Sequence, residues 1–245
     1  MPSSTLSVRA AIELVDRALT LGQRHFWILE RLALIPVLAA VGIGYWYGGV
    51  GHPFLVRAGA FVTTAALYGI MEAVTIAGAW DLLHGQPVDV AATWRLIGGR
   101  SPSIVVVYVL KLVLIYLGVV ALVLPGFYFL AIYFAVPAVN VLEGLGVGRS
   151  LVRSRALALG SLLGIVVSIG GTWVATVVVA TLLPTLLTRL GVPPVSPLRF
   201  IVAVAWVGLV IPFRSALSAL VYLELRMRRE GYDLQRLLSS MPSAA

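Results

Sequence analysis

Glu72, Lys111 and Arg214 each stand inside a different long apolar run, a placement that invites chemistry. An ionisable group within hydrocarbon costs roughly 2.5–3.5 kcal/mol on an insertion scale unless it is paired or hydrated. Two arrangements meet that cost. In one, the three side chains form a buried polar cluster lining a substrate or ion path, with Glu72 balancing one of the two cations. In the other, Lys111 and Arg214 snorkel separately toward a charged membrane surface about 9–10 residues away, or about 13–15 Å at helical rise. Three ionisable groups are few for a proton relay or a charged-substrate pathway, so separate snorkelling is the expectation.

A second group of candidates is basic. Arg149, Arg153 and Arg155, and then Arg226, Arg228 and Arg229, form two clusters outside the apolar runs. Guanidinium groups at a membrane surface suit lipid phosphates, although ordinary topology determinants account for the same residues. Glu224 and Arg228, Arg226 and Glu230, and Arg229 and Asp233 are four apart and can pair along one helix. The run Gly144-Leu145-Gly146-Val147-Gly148-Arg149-Ser150 is not a phosphate loop: it is one residue short, Arg replaces the required Lys, and no strand precedes it. His25, His52 and His84 fall on different loops, cysteine is absent, and no Gly-x-Ser-x-Gly or His-Glu-x-x-His occurs. The expectation is a non-enzyme with no metal and no cofactor.

The elements that carry these residues follow from composition. Of 245 residues, 60% are apolar and 11% charged, against roughly a quarter charged in ordinary soluble domains. With a mean hydropathy of +1.00, the chain has too little polar surface for a water-soluble globule, which excludes a cytosolic enzyme, a disordered chain and a secreted disulfide scaffold. The apolar runs predict an all-α polytopic bundle of about six crossings, near 32–47, 55–83, 103–123, 127–142, 157–187 and 200–223. Residues 1–25 predict an amphipathic helix lying in the membrane surface. Val8, Ala11, Ile12, Val15, Ala18 and Leu19 share one face, Arg9, Glu13, Asp16, Arg17 and Arg24 take the other, and Ser7 is the cap. A second interfacial helix is expected over 88–100, and Pro125-Gly126 predicts a tight turn that makes the third and fourth crossings a hairpin. Pro137 predicts a kink in the fourth crossing. Residues 224–245 read as a basic helical extension and tail, with Tyr222 and Tyr232 as interfacial anchors. On the fifth crossing, Gly160, Gly164, Ser168 and Thr172 recur every four residues, a small-residue stripe for packing within the bundle, with a homodimer face as the alternative.

Charge placement sets the expected orientation. Arginines concentrate in the N-terminal helix, the 84–102 connection, the 143–156 segment and the C-terminal extension, while the opposite loops hold Arg57, Arg189 and Arg199. That asymmetry and an even number of crossings place both termini in the cytoplasm. The net charge of +8 then reads as a cytoplasmic rim and not as a nucleic-acid surface.

Four segments together resemble the bacterial glycerophosphoryl diester phosphodiesterase membrane domain family over nearly the whole chain. They are Leu6-Ser7-Val8-Arg9 on to His25-Phe26; Leu124-Pro125-Gly126 with Pro137 and Glu143-Gly144; Arg149-Ser150-Leu151-Val152-Arg153-Ser154 with Leu157 and Gly160; and Leu220 through Leu234. The resemblance implies a stand-alone protein of a bacterial inner membrane whose bundle carries no established catalytic residues, the family's phosphodiesterase chemistry belonging to an additional soluble domain. Two functions are then expected. The first is a non-catalytic membrane protein that organises anionic lipid or a partner protein at the cytoplasmic face, as an accessory subunit of a membrane complex or as a homo-oligomer. The second is a small transporter or channel built on Glu72, Lys111 and Arg214.

Overall fold

The computed structural model describes residues 6–47 and 51–230. In chain order the helices are α1 (Val8–Arg24), α2 (Phe26–Tyr47), α3 (Phe54–Leu83), α4 (Val90–Ala121), α5 (Val123–Ile132), α6 (Val136–Ala138) leading into a π-helical turn Val139–Glu143, α7 (Val147–Ala158), α8 (Leu162–Arg189) and α9 (Pro197–Glu230). Among the described residues there is no strand, and α2, α3, α4, the broken stretch Leu124–Glu143, α8 and α9 are each long and apolar enough to cross a bilayer. The chain is a multi-pass, all-α transmembrane bundle. One end, here the basic end, gathers α7, the close of α9 and the α3–α4 connection; the far end holds the close of α2, the α4–α5 turn and the α8–α9 connection.

Ser7 caps α1, its side chain accepting from the Ala10 N–H at 3.2 Å. The face that α1 buries differs from the expected one. Ala11, Leu14, Ala18 and Gly22 pack on the bundle, whereas Val8, Ile12 and Leu19 are exposed. Small residues decide this: a Cβ on Gly22 would lie 3.2 Å from the Phe213 backbone, so α1 lies close along α9 through its alanines and glycine. The helix is docked on α8 and α9 and does not turn its whole apolar face to lipid.

The separate interfacial helix expected over 88–100 is instead the first part of α4, which continues through Pro102. Proline leaves the carbonyl four residues back without its usual donor. Here the Ser101 hydroxyl donates to that Gly98 carbonyl at 3.0 Å, so the helix is not broken. The turn into the fourth crossing also lies earlier than expected: Leu122 alone is extended, and Pro125 falls in the first turn of α5, where a missing N–H goes unnoticed. Gly126 serves close packing, since a Cβ on Gly118 would sit 2.9 Å from the Gly126 Cα. The predicted kink is present as a full break after Ile132, and the freed Ile132 carbonyl accepts from the buried Ser154 hydroxyl at 2.6 Å. The fifth crossing begins at Leu162, not near 157. The C-terminal extension is no separate element, because α9 runs unbroken to Glu230; Arg229's expected partner Asp233, and Tyr232, lie outside the described residues.

Candidate functional site

The site rests on one stripe of α3, spaced every three residues. A Cβ on Gly69 would lie 2.7 Å from the Tyr108 Cβ, so only glycine lets α4 approach this closely. One turn along, Glu72 meets Lys111, which stands one turn beyond Tyr108 on α4. A further turn along, the Thr75 hydroxyl donates to the Met71 carbonyl at 2.7 Å and accepts from Ser215 at 2.6 Å, which fixes α9 on α3 and brings the neighbouring Arg214 to the carboxylate.

Lys111 Nζ donates to both Glu72 oxygens, at 3.1 and 3.2 Å. Arg214 approaches the second oxygen at 3.9 Å, a charge contact longer than a hydrogen bond. Glu72 and Lys111 are each 7% exposed, and the Lys111 ammonium also stands 5.0 Å from the centre of the Tyr108 ring. The expected separate snorkelling is therefore overturned. The reason is the paired glycine and hydroxyl contacts of α3, which draw both cation-bearing helices onto the helix that carries the carboxylate.

These groups wall a cavity of about 160 Å³ together with Leu112 and Ile115 of α4, Leu130 and Phe134 beside the break after α5, Thr172 and Thr176 of α8, and Leu217 and Ser218 of α9. Two cations face one carboxylate, so the cavity carries one surplus positive charge well inside the spans. Such a place attracts an anion that brings its own charge compensation. Among the described residues no cluster of side chains suits a metal ion.

The small-residue stripe of the fifth crossing divides. Gly160 is not in the helix: with φ +86° it turns the chain between α7 and α8, a conformation that glycine adopts without strain. Gly164 packs so closely on Leu6 that a side chain there would overlap the Leu6 carbonyl. The buried Ser168 hydroxyl returns to the Gly164 carbonyl at 2.9 Å, and Thr172 reaches the cavity wall.

The basic clusters divide as well. Arg153 donates to Glu143 at 3.0 Å and also pairs with Glu230. Arg226 meets Glu230 at 3.2 Å and Arg228 meets Glu224 at 2.6 Å, the two spacing pairs read from the sequence. Tyr222 is fully buried, not an interfacial anchor, and donates to Glu143 at 2.7 Å. Burial lowers the Arg153 pKa, but the hydrogen bonds and charges of Glu143 and Glu230 outweigh it and hold the group above its ordinary value. These residues tie the π-helical turn, α7 and the end of α9 together. Arg149, Arg155 and Arg229 are exposed.

Sequence reasoning did not select Tyr108, Thr75, Ser215 or Ser218. For Tyr108, Thr75 and Ser218 the signal was a polar residue in an apolar run three or four places from Lys111, Glu72 or Arg214; Ser215, adjacent to Arg214, carried no such spacing. No family model, no curated protein and no solved structure matches this chain.

Proposed function

We propose that this chain is a non-catalytic integral membrane protein of the carrier type, which admits an anionic group to a membrane-embedded site formed by Lys111 and Arg214 and balanced by Glu72. The supporting observation is the convergence of the three side chains on one cavity with two cations to one carboxylate. Lys111 is held by Glu72, whereas the Arg214 side chain, 39% exposed and beyond hydrogen-bond distance of that carboxylate, is the group available to an incoming charge. The break after α5 lies beside the cavity, in keeping with the use of interrupted helices where irregular backbone lines a membrane site. The arginine asymmetry supports an orientation with both termini cytoplasmic.

The test is thermal unfolding of the purified protein in neutral detergent, with acetate, phosphate or sulfate added at constant ionic strength. A ligand at 100 times its Kd stabilises by about 2.7 kcal/mol, so at least one anion should raise the unfolding temperature of the native chain and leave Arg214→Gln unmoved. Equal responses of the two proteins to every anion would contradict the proposal. A second reading, organisation of anionic lipid at the basic surface, is supported by the exposed Arg149, Arg155 and Arg229. It predicts that replacing those three with Gln weakens retention of anionic lipid by the full chain while the Arg214-dependent response persists.

A further inference from the structure

The bundle is packed unequally along its length. Between the cavity and the basic end, Ile76, Ile165, Ile169, Leu217 and Val221 belong to one continuous core that closes the cavity on that side. Toward the far end, α2, α3 and α9 keep a core of their own around Val37, Met71 and Ile211. α8 takes no part in it: among its described side chains beyond Gly170, none is buried.

The same stretch of α8 still has an inward face. Its partly shielded positions are Thr172, Thr176, Val179, Leu183 and Leu187, spaced by three and four and therefore on one side of the helix. Thr172 and Thr176 line the charged cavity. Val179, Leu183 and Leu187 continue that face of α8 beyond the cavity as an apolar strip, about 17 Å from Thr176 to Leu187 at helical rise. The α8 face that lines the charged cavity at Thr172 and Thr176 is thus continued by an apolar face of the same helix.

Both halves constrain the occupant. A cavity of about 160 Å³ has ample room for a carboxylate-sized head, since about 10–15 Å³ of such space already holds one water. An inorganic ion would leave the strip unused, and an uncharged hydrocarbon would leave the surplus cation without a partner. We infer that the ligand is a single-chain monoanionic amphiphile, its head between Arg214 and Lys111 and its chain along Val179, Leu183 and Leu187. This inference rests on the anion-binding reading and adds the class of ligand.

The experiment uses the full chain in nanodiscs of zwitterionic phospholipid and follows thermal unfolding with acetate, octanoate, dodecanoate and, as the uncharged control, dodecanol. Dodecanoate should stabilise the native chain at a concentration lower than octanoate by about tenfold or more, and dodecanol should have no comparable effect. Arg214→Gln should erase the preference for dodecanoate over dodecanol. Leu183→Trp, which fills the strip without touching the charges, should weaken dodecanoate and spare acetate. If acetate, octanoate and dodecanoate stabilise equally, or dodecanol matches dodecanoate, the amphiphile is wrong while the anion site survives. If no carboxylate distinguishes the native chain from Arg214→Gln, both readings fall.

Discussion

Glu72 is shared by two cations, so its removal should be felt more than that of either partner. Glu72→Gln strands the buried Lys111 ammonium and the Arg214 guanidinium; loss of one member of a buried pair costs about 3–5 kcal/mol. Lys111→Met alone leaves Glu72 with Arg214 and should be milder. The double variant should lose clearly less than the sum of the singles, a coupling of about 1 kcal/mol or more in thermal unfolding; additive losses would mean the side chains do not meet. That these residues matter was legible from their cost inside apolar runs. That they meet was not, because their convergence depends on the close approach at Gly69 and the Ser215 to Thr75 hydrogen bond, contacts between helices that no spacing within a single helix reveals.

At the scale of elements, helix contacts through small residues can be tested against one another. Gly164→Val would place a side chain on the Leu6 backbone and should release Leu6 from α8, destabilising by about 1–3 kcal/mol, whereas a Cβ on Gly171 meets no atom within 4 Å and Gly171→Ala should be silent. Proteolysis near residue 6 together with thermal unfolding checks both. Ser101→Ala should cost about 1 kcal/mol by orphaning the Gly98 carbonyl, and Pro102→Ala should abolish that sensitivity by restoring the backbone donor. Spans and their order were readable because about 20 apolar residues leave little alternative. Boundaries were less so: 88–100 and 103–123 read as separate elements, but α4 joins them through Pro102, where a neighbouring serine takes the Gly98 carbonyl, and Gly160 reads as part of a helical stripe although its backbone turns the chain.

For the whole molecule, hydropathy and charge divide the work. The apolar majority builds the spans, while at the basic end Glu143, Arg153, Tyr222, Arg226 and Glu230 form a polar network that fastens the π-helical turn and α7 to α9. Tyr222→Phe should lower stability by about 1.5–3 kcal/mol, the range for a hydrogen bond to a charged group, with no change in the response to anions. That charge would gather at one end was visible in the arginine distribution, and the pairs within α9 in their spacing; the Arg153 pairs were not, since Glu143 and Glu230 lie on other elements than Arg153. The central claim is that a water-accessible, net positive cavity exists within the membrane-spanning bundle. The chain lacks cysteine, so single cysteines can be placed at Ser218 on the cavity wall and at the outward-facing Leu209, and labelled with anionic and cationic water-soluble thiosulfonates in intact membranes. Ser218→Cys should react, several-fold faster with the anionic reagent, and lose that preference when Arg214→Gln is added, while Leu209→Cys stays unlabelled; a silent Ser218→Cys, or equal rates with both reagents, would contradict the cavity and its charge.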